Sequence, residues 1–134
     1  MSDLGDTTGT DNSDFYDIVV CPSDASLLYA GTSDSGIYRS NDRGLTWEHW
    51  ALEGRATPVV VDPGDCGKAY VAVWGDGVHH VTGQNQTAPI NQGLDDLYLY
   101  GLAVSSDSET LYAGSNSSGV WRTDTSAVDW QPVN

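Results

Sequence analysis

Apolar and polar positions along this 134-residue chain alternate in short runs that begin at Phe15. Ile18-Val19-Val20-Cys21 is a compact, largely β-branched run stopped by Pro22-Ser23-Asp24. Leu27 to Gly31 follows and ends at Ser33-Asp34-Ser35-Gly36; Ile37 to Ser40 and Thr46 to Trp50 complete a set of four. Nowhere do apolar residues recur at helical spacing over about ten positions. The pattern predicts an all-β chain of short strands joined by tight turns, an antiparallel meander.

The meander then repeats. Val59-Val60-Val61-Asp62-Pro63 matches the first strand and its proline stop, Ala69 to Ala72 the second, and Gly77 to His80 the third. A third pass runs through Gly101 to Val104, Leu111 to Gly114, Gly119 to Arg122 and Trp130 to Val133. Tyr29, Tyr70 and Tyr112 lie 41 and 42 residues apart, and Gly36, Gly77 and Gly119 repeat the same two intervals. A period of about 40 to 45 residues with four strands per unit is the mark of propeller blades. Three blades are expected at residues 15–54, 55–96 and 97–134, after an acidic, turn-rich lead-in at 1–14 that promises no core contact.

One turn carries a sharper signal. Ser40-Asn41-Asp42-Arg43-Gly44-Leu45-Thr46-Trp47 fits S-x-D-x-G-x-T-W. It resembles the Asp-box (BNR) hairpin of β-propellers such as sialidases, sortilin-type domains, xyloglucan-degrading enzymes and photosystem II assembly factor propellers. The resemblance extends over nearly everything after residue 15 and implies that Ser40, Asp42, Gly44, Thr46 and Trp47 clamp a hairpin rather than perform chemistry. An Asp can accept backbone N–H groups across the turn, a Gly permits φ > 0, and the Trp returns into the apolar layer. The motif decays along the chain. Val81 to Ala88 keeps only Thr87; Thr123 to Trp130 keeps Trp130, with Thr123 replacing Ser and Asp124 one place early.

A blade is a sheet with apolar residues on both faces and cannot bury them alone. Propellers close with about four or more blades, so three would leave two faces lined by Val, Ile, Tyr and Trp. The final Pro132-Val133-Asn134 matches Pro89-Ile90-Asn91, which in the second unit leads into the third. Whole blades cut at one phase suggest a homo-oligomer: a dimer giving six blades or a trimer giving nine. The rival expectation is a fragment of a longer propeller, including a larger Asp-box glycoside hydrolase.

Composition narrows the partners. Nineteen acids against five Lys and Arg give a formal net charge of −14. Such a surface repels phosphate backbones and anionic membranes, so neither nucleic acid nor membrane is expected as a partner. No window approaches the roughly 18 apolar residues of a membrane helix. The start, Met-Ser-Asp-Leu-Gly-Asp, lacks a basic and an apolar region, so no signal peptide is expected in the sequence as it stands. The compartment is left open, and no residue set calls for a cofactor.

Catalytic constellations are sparse. A sialidase needs three converging arginines, but of Arg39, Arg43, Arg55 and Arg122, the first and last occupy equivalent repeat positions, with His80 between them. Asp62, Asp65, Asp76, Asp95 and Asp96 are glycosidase carboxylates by type only, because propeller turns use Asp for local hydrogen bonds. His79 and His80, adjacent on a strand, point to opposite faces and cannot share a metal, so no metal site is expected. Tyr38, His79 and Trp121 stand one per blade at one register of the third strand, where rings could stack on sugars or pack blade against blade. Trp74, before Gly77, has no aromatic counterpart at Ser33 or Asn116 and is a candidate exposed ligand-binding ring. Asn85-Gln86-Thr87 and Asn116-Ser117-Ser118 match the N-glycosylation sequon. A Cys21–Cys66 disulfide is allowed on a shared propeller face, but two free thiols are the default expectation. The leading functional expectation is a non-catalytic recognition or scaffold module binding a protein or glycan; the alternatives are a multivalent lectin and the hydrolase fragment.

Overall fold

The structure, a computed structural model, describes residues 14–133. The expected lead-in therefore lies outside the described residues except for Asp14, whose carbonyl accepts the Ser33 N–H at 2.8 Å. Twelve strands and no helix form among the described residues. They are β1 (Phe15–Cys21), β2 (Asp24–Thr32), β3 (Ile37–Ser40), β4 (Glu48–Ala51), β5 (Ala56–Val61) and β6 (Ala69–Val73). Next come β7 (Gly77–Gly83), β8 (Gln86–Pro89), β9 (Leu99–Val104), β10 (Thr110–Ser115), β11 (Val120–Asp124) and β12 (Gln131–Val133). Each consecutive set of four pairs in chain order into one antiparallel sheet. These are the three four-stranded blades that the period predicts.

Registers repeat with the sequence. Tyr29 faces Val19 and Arg39; Tyr70 faces Val60 and His80; Tyr112 faces Ala103 and Arg122. The glycine marker has a conformational cause. Gly36, Gly77 and Gly119 all have positive φ, 72°, 78° and 81°, at the turn before the third strand. A Cβ is disfavoured there, and at Gly77 it would also strike the Asn91 amide.

Alternation along each strand gives every blade a leading face toward the next blade and a trailing face toward the one before. Leading Tyr29, Ile37 and Trp50 pack with trailing Val59, Val61 and Val71 in one core. Leading Tyr70 and Val78 pack with trailing Leu111, Trp121 and Trp130 in the next. Two features tighten the first seam. Asp17 Oδ2 accepts the Val59 N–H at 3.0 Å, and Gly31 lies so close to the Ala56 carbonyl that a Cβ would stand 2.0 Å from the oxygen. A third cluster, Ala30, Tyr38 and Trp47, sits on the trailing face of the first blade under Phe15. Of the rings expected on open faces, Tyr38 and Trp47 are therefore buried, because Phe15 folds over them with ring centroids 5.7 Å and 5.9 Å away.

Two further expectations change. Cys21 and Cys66 are not free thiols; they form a disulfide with Cα atoms 5.8 Å apart. It ties the β1–β2 turn to the β5–β6 turn, because packing blade 2 on blade 1 brings these same-end turns together across the seam. The degenerate stretch Val81 to Ala88 is a direct β7–β8 hairpin, with Val81 facing Thr87 and Gly83 facing Gln86. A short hairpin has no room for the longer clamp, which accounts for the loss of its residues.

Candidate functional site

The turn Ser40–Trp47 is a closed hydrogen-bond set. Ser40 Oγ donates to Asp42 Oδ1 at 2.8 Å and accepts the Gly44 N–H at 2.9 Å. Thr46 donates its N–H to Asp42 Oδ1 at 2.9 Å and its hydroxyl to Oδ2 at 2.5 Å. Trp47 Nε1 donates to the Gly44 carbonyl at 3.1 Å. These donors, the Thr46 hydroxyl foremost, pull the Asp42 carboxyl down to a pKa of about 2. Both oxygens of the aspartate are engaged by the turn itself, so the group holds shape. In the third blade, Thr123 Oγ1 takes the part of Ser40 by accepting the Asp129 N–H at 2.8 Å, and Trp130 Nε1 reaches across to the Ile90 carbonyl at 2.6 Å.

The repeated rings occupy interior positions. Tyr38, His79 and Trp121 are all buried, His79 with Nε2 2.7 Å from Asp76 Oδ2. Their register is the trailing face, which a neighbouring blade or Phe15 covers, so none presents a ring face to a sugar. Three of the candidate carboxylates hold structural contacts. Asp62 accepts Ser108 Oγ and the Gly64 N–H, Asp65 accepts the Gly67 N–H, and Asp76 meets His79. Arg39 lies over the Trp50 ring at 4.3 Å in the first seam, whereas Arg122 is exposed on the far face of the third blade. These two guanidinium groups do not converge.

Trp74 is different. It stands half-buried in the β6–β7 turn, edge-on to Tyr98 at 4.9 Å and tilted against Tyr100 at 5.1 Å. The Arg55 guanidinium covers it at 4.7 Å and also approaches the Tyr16 ring at 5.7 Å. Tyr16, Tyr98 and Tyr100 are exposed. Tyr16, Arg55, Thr57, Pro58, Leu99 and Tyr100 line an open cleft of about 290 Å³. Its walls come from the starts of β1, β5 and β9, the first strands of all three blades, so the cleft sits at one end of the molecule where those strands meet. The disulfide and the Ser40–Trp47 turn lie at the other end.

The loop frame beneath the rings is fixed by polar contacts. Asp96 Oδ1 accepts the Tyr98 N–H at 2.9 Å, while Oδ2 accepts both the N–H and the hydroxyl of Ser117 at 2.9 Å. The Tyr98 N–H is the largest influence holding the Asp96 carboxyl below its usual range. The Trp74 N–H donates to the Arg55 carbonyl, and the Asn116 N–H to the Tyr98 carbonyl. Three blades thus hold one aromatic wall in place. Of its members only Trp74 stood out in the sequence; Tyr16 and Tyr100 share one repeat position, but its middle copy is Thr57, so the rings leave only a broken periodic trace.

No protein-family model and no curated protein matches the chain, but solved structures do. An ancestral GH74 enzyme superposes with a TM-score of 0.76 at 21% identity, over 93% of this chain and 21% of that one. YCF48 from Cyanidioschyzon merolae gives 0.68 at 18% identity, over 89% of this chain and 36% of that one. The GH74 xyloglucanase from Xanthomonas campestris gives 0.62 at 20%, over 85% and 21%. The chain spans about a fifth of the GH74 enzymes and about a third of YCF48. No helix among the described residues is long and apolar enough to cross a membrane. The shared architecture is that of β-propellers, and the chain has the fold of a three-blade section of one.

Proposed function

We propose that the chain is a recognition section of a β-propeller that binds a neutral carbohydrate chain at the aromatic cleft, with no catalytic step of its own. The observation that carries this reading is Trp74 flanked by Tyr98, Tyr100 and Arg55 at an open end of the molecule. Large apolar rings beside water are costly to leave exposed, and their faces suit the C–H faces of sugars, with hydroxyls and a guanidinium for the polar edges. The net charge of −14 disfavours polyanionic glycans. Ser40 to Trp47 is read as an Asp-box hairpin in a structural role, and the candidate rings pass from Tyr38, His79 and Trp121 to the cluster around Trp74. The disulfide suits an oxidising compartment.

Affinity electrophoresis in soluble polysaccharides tests the reading, xyloglucan first because one structural neighbour is a xyloglucanase. Retardation that disappears in Trp74→Ala and Tyr100→Ala supports it. Unretarded migration through every neutral glycan, including on an array, rejects it. A second reading, a piece of a larger glycoside hydrolase propeller, is favoured by the GH74 neighbours. Release of reducing ends from xyloglucan by the chain alone would favour that reading over simple binding.

A further inference from the structure

Both seams are built from the same repeat positions, and a third set of those positions is left open. The leading-face residues Ile37 and Val78 are fully buried, but their equivalent Val120 is 45% exposed. Tyr112 and Val133 beside it are exposed too, where Tyr29, Tyr70 and Trp50 are covered. The opposite end shows the complementary vacancy. Val59 on the trailing face of the second blade is 2% exposed, while its equivalent Ile18 on the first blade is 53% exposed, with Val20 next on the same face.

We propose that these two faces are the halves of a third seam formed between copies of this chain, head to tail. Whatever covers the Val120 face must present branched aliphatics at the register of Val59 and Val61, and the chain carries that surface itself at Ile18 and Val20. A heterologous contact of this kind satisfies both open faces at once and closes when the rotation completes a ring. The inference rests on the seams alone and is independent of the carbohydrate cleft.

The seams also predict which residues meet. Cys21 bonds Cys66 across the first, and at the same place in the second Ser108 Oγ donates to Asp62 Oδ1. Cys21 and Asp62 directly follow the first-strand residues Val20 and Val61, which face Leu28 and Ala69. The same step in the third blade is Ser105, after Val104 facing Leu111. Cys66 and Ser108 each lie four residues before the repeat tyrosine, and the same step before Tyr29 is Ala25. Ser105 of one copy should therefore face Ala25 of the next.

Ser105→Cys and Ala25→Cys chains, mixed and oxidised, should yield a covalent link that peptide mapping assigns to positions 105 and 25 of different chains. Sedimentation of the unmodified chain should give a mass of two or three chains, rising in population with salt as the acidic repulsion is screened. Because position 120 is exposed, Val120→Asp should fold and dissociate the assembly, and mixing it with Ile18→Lys should restore a two-chain ring, which then holds one native seam and one seam of opposite charges. A monomer at all concentrations overturns the proposal. So does a 105-to-105 link, or an assembly broken by Val120→Asp but indifferent to Ile18→Lys, because either shows a two-fold contact of like faces.

Discussion

Ser108 Oγ donates to Asp62 Oδ1 at 2.5 Å, and this polar contact occupies the place that the Cys21–Cys66 bond occupies one blade earlier. The two seams are thus locked at the same point by different chemistry. Cross-linking residues 45 apart in sequence removes loop entropy from the unfolded chain worth about 4 kcal/mol. Denaturant titration of Cys21→Ser/Cys66→Ser should show a loss of that order. Ser108→Ala removes its bond to the Asp62 carboxylate and the contact it accepts from the Gly64 N–H, which keeps Asp62 as acceptor, and should cost only about 1–2 kcal/mol.

Trp130 is the keystone of the second seam. It is 1% exposed and its Nε1 bonds the Ile90 carbonyl of the preceding blade. Trp130→Ala creates a large cavity and orphans that carbonyl, with an expected loss of about 3–5 kcal/mol by chemical denaturation. Trp130→Phe keeps most of the ring and should recover the larger part.

Gly31 tests how closely blades must approach. A Cβ there would overlap the Ala56 carbonyl, so Gly31→Ala has to push the first two blades apart. A destabilisation of about 1–3 kcal/mol is expected, typical of overpacking. Gly54→Ala, where a Cβ meets nothing within 4 Å but φ is 78°, separates backbone strain from crowding and should cost about 1 kcal/mol.

Acid should loosen the fold in two steps. Burial lowers the His80 pKa below 6.5, so the unfolded state binds that proton first and stability falls as pH drops below about 6.5. Asp42, with its pKa depressed to about 2 in the fold, contributes stability that is complete above the unfolded value of about 4 and is lost between about pH 4 and 2. Thermal melts across this range should show both losses. His80→Gln should remove the first, and Asp42→Asn should flatten the second while lowering stability at neutral pH.

The blades were legible in the sequence because Tyr29, Tyr70 and Tyr112 and the three turn glycines answer to constraints that recur in every blade. Which face a ring occupies was legible only as one of two. Strand alternation places Tyr38, His79 and Trp121 on one side, but it does not say that Phe15 or a preceding blade covers that side. The cleft was nearly silent, since Tyr16 and Tyr100 share a repeat position whose middle copy is Thr57, and the three meet only after the blades pack. Trp74 showed through because it breaks the repeat, an aromatic where Ser33 and Asn116 stand.

Tryptophan fluorescence offers the most direct test of the cleft. Trp47, Trp50, Trp121 and Trp130 are all buried, so Trp74 is the tryptophan placed to report a ligand. Titration with xyloglucan oligosaccharides and other neutral glycans should shift and saturate the emission of the native chain with at least one of them, and Trp74→Phe should abolish the shift. Unchanged emission with every glycan, or a saturating shift that survives in Trp74→Phe, would contradict the assignment of the cleft as the binding site.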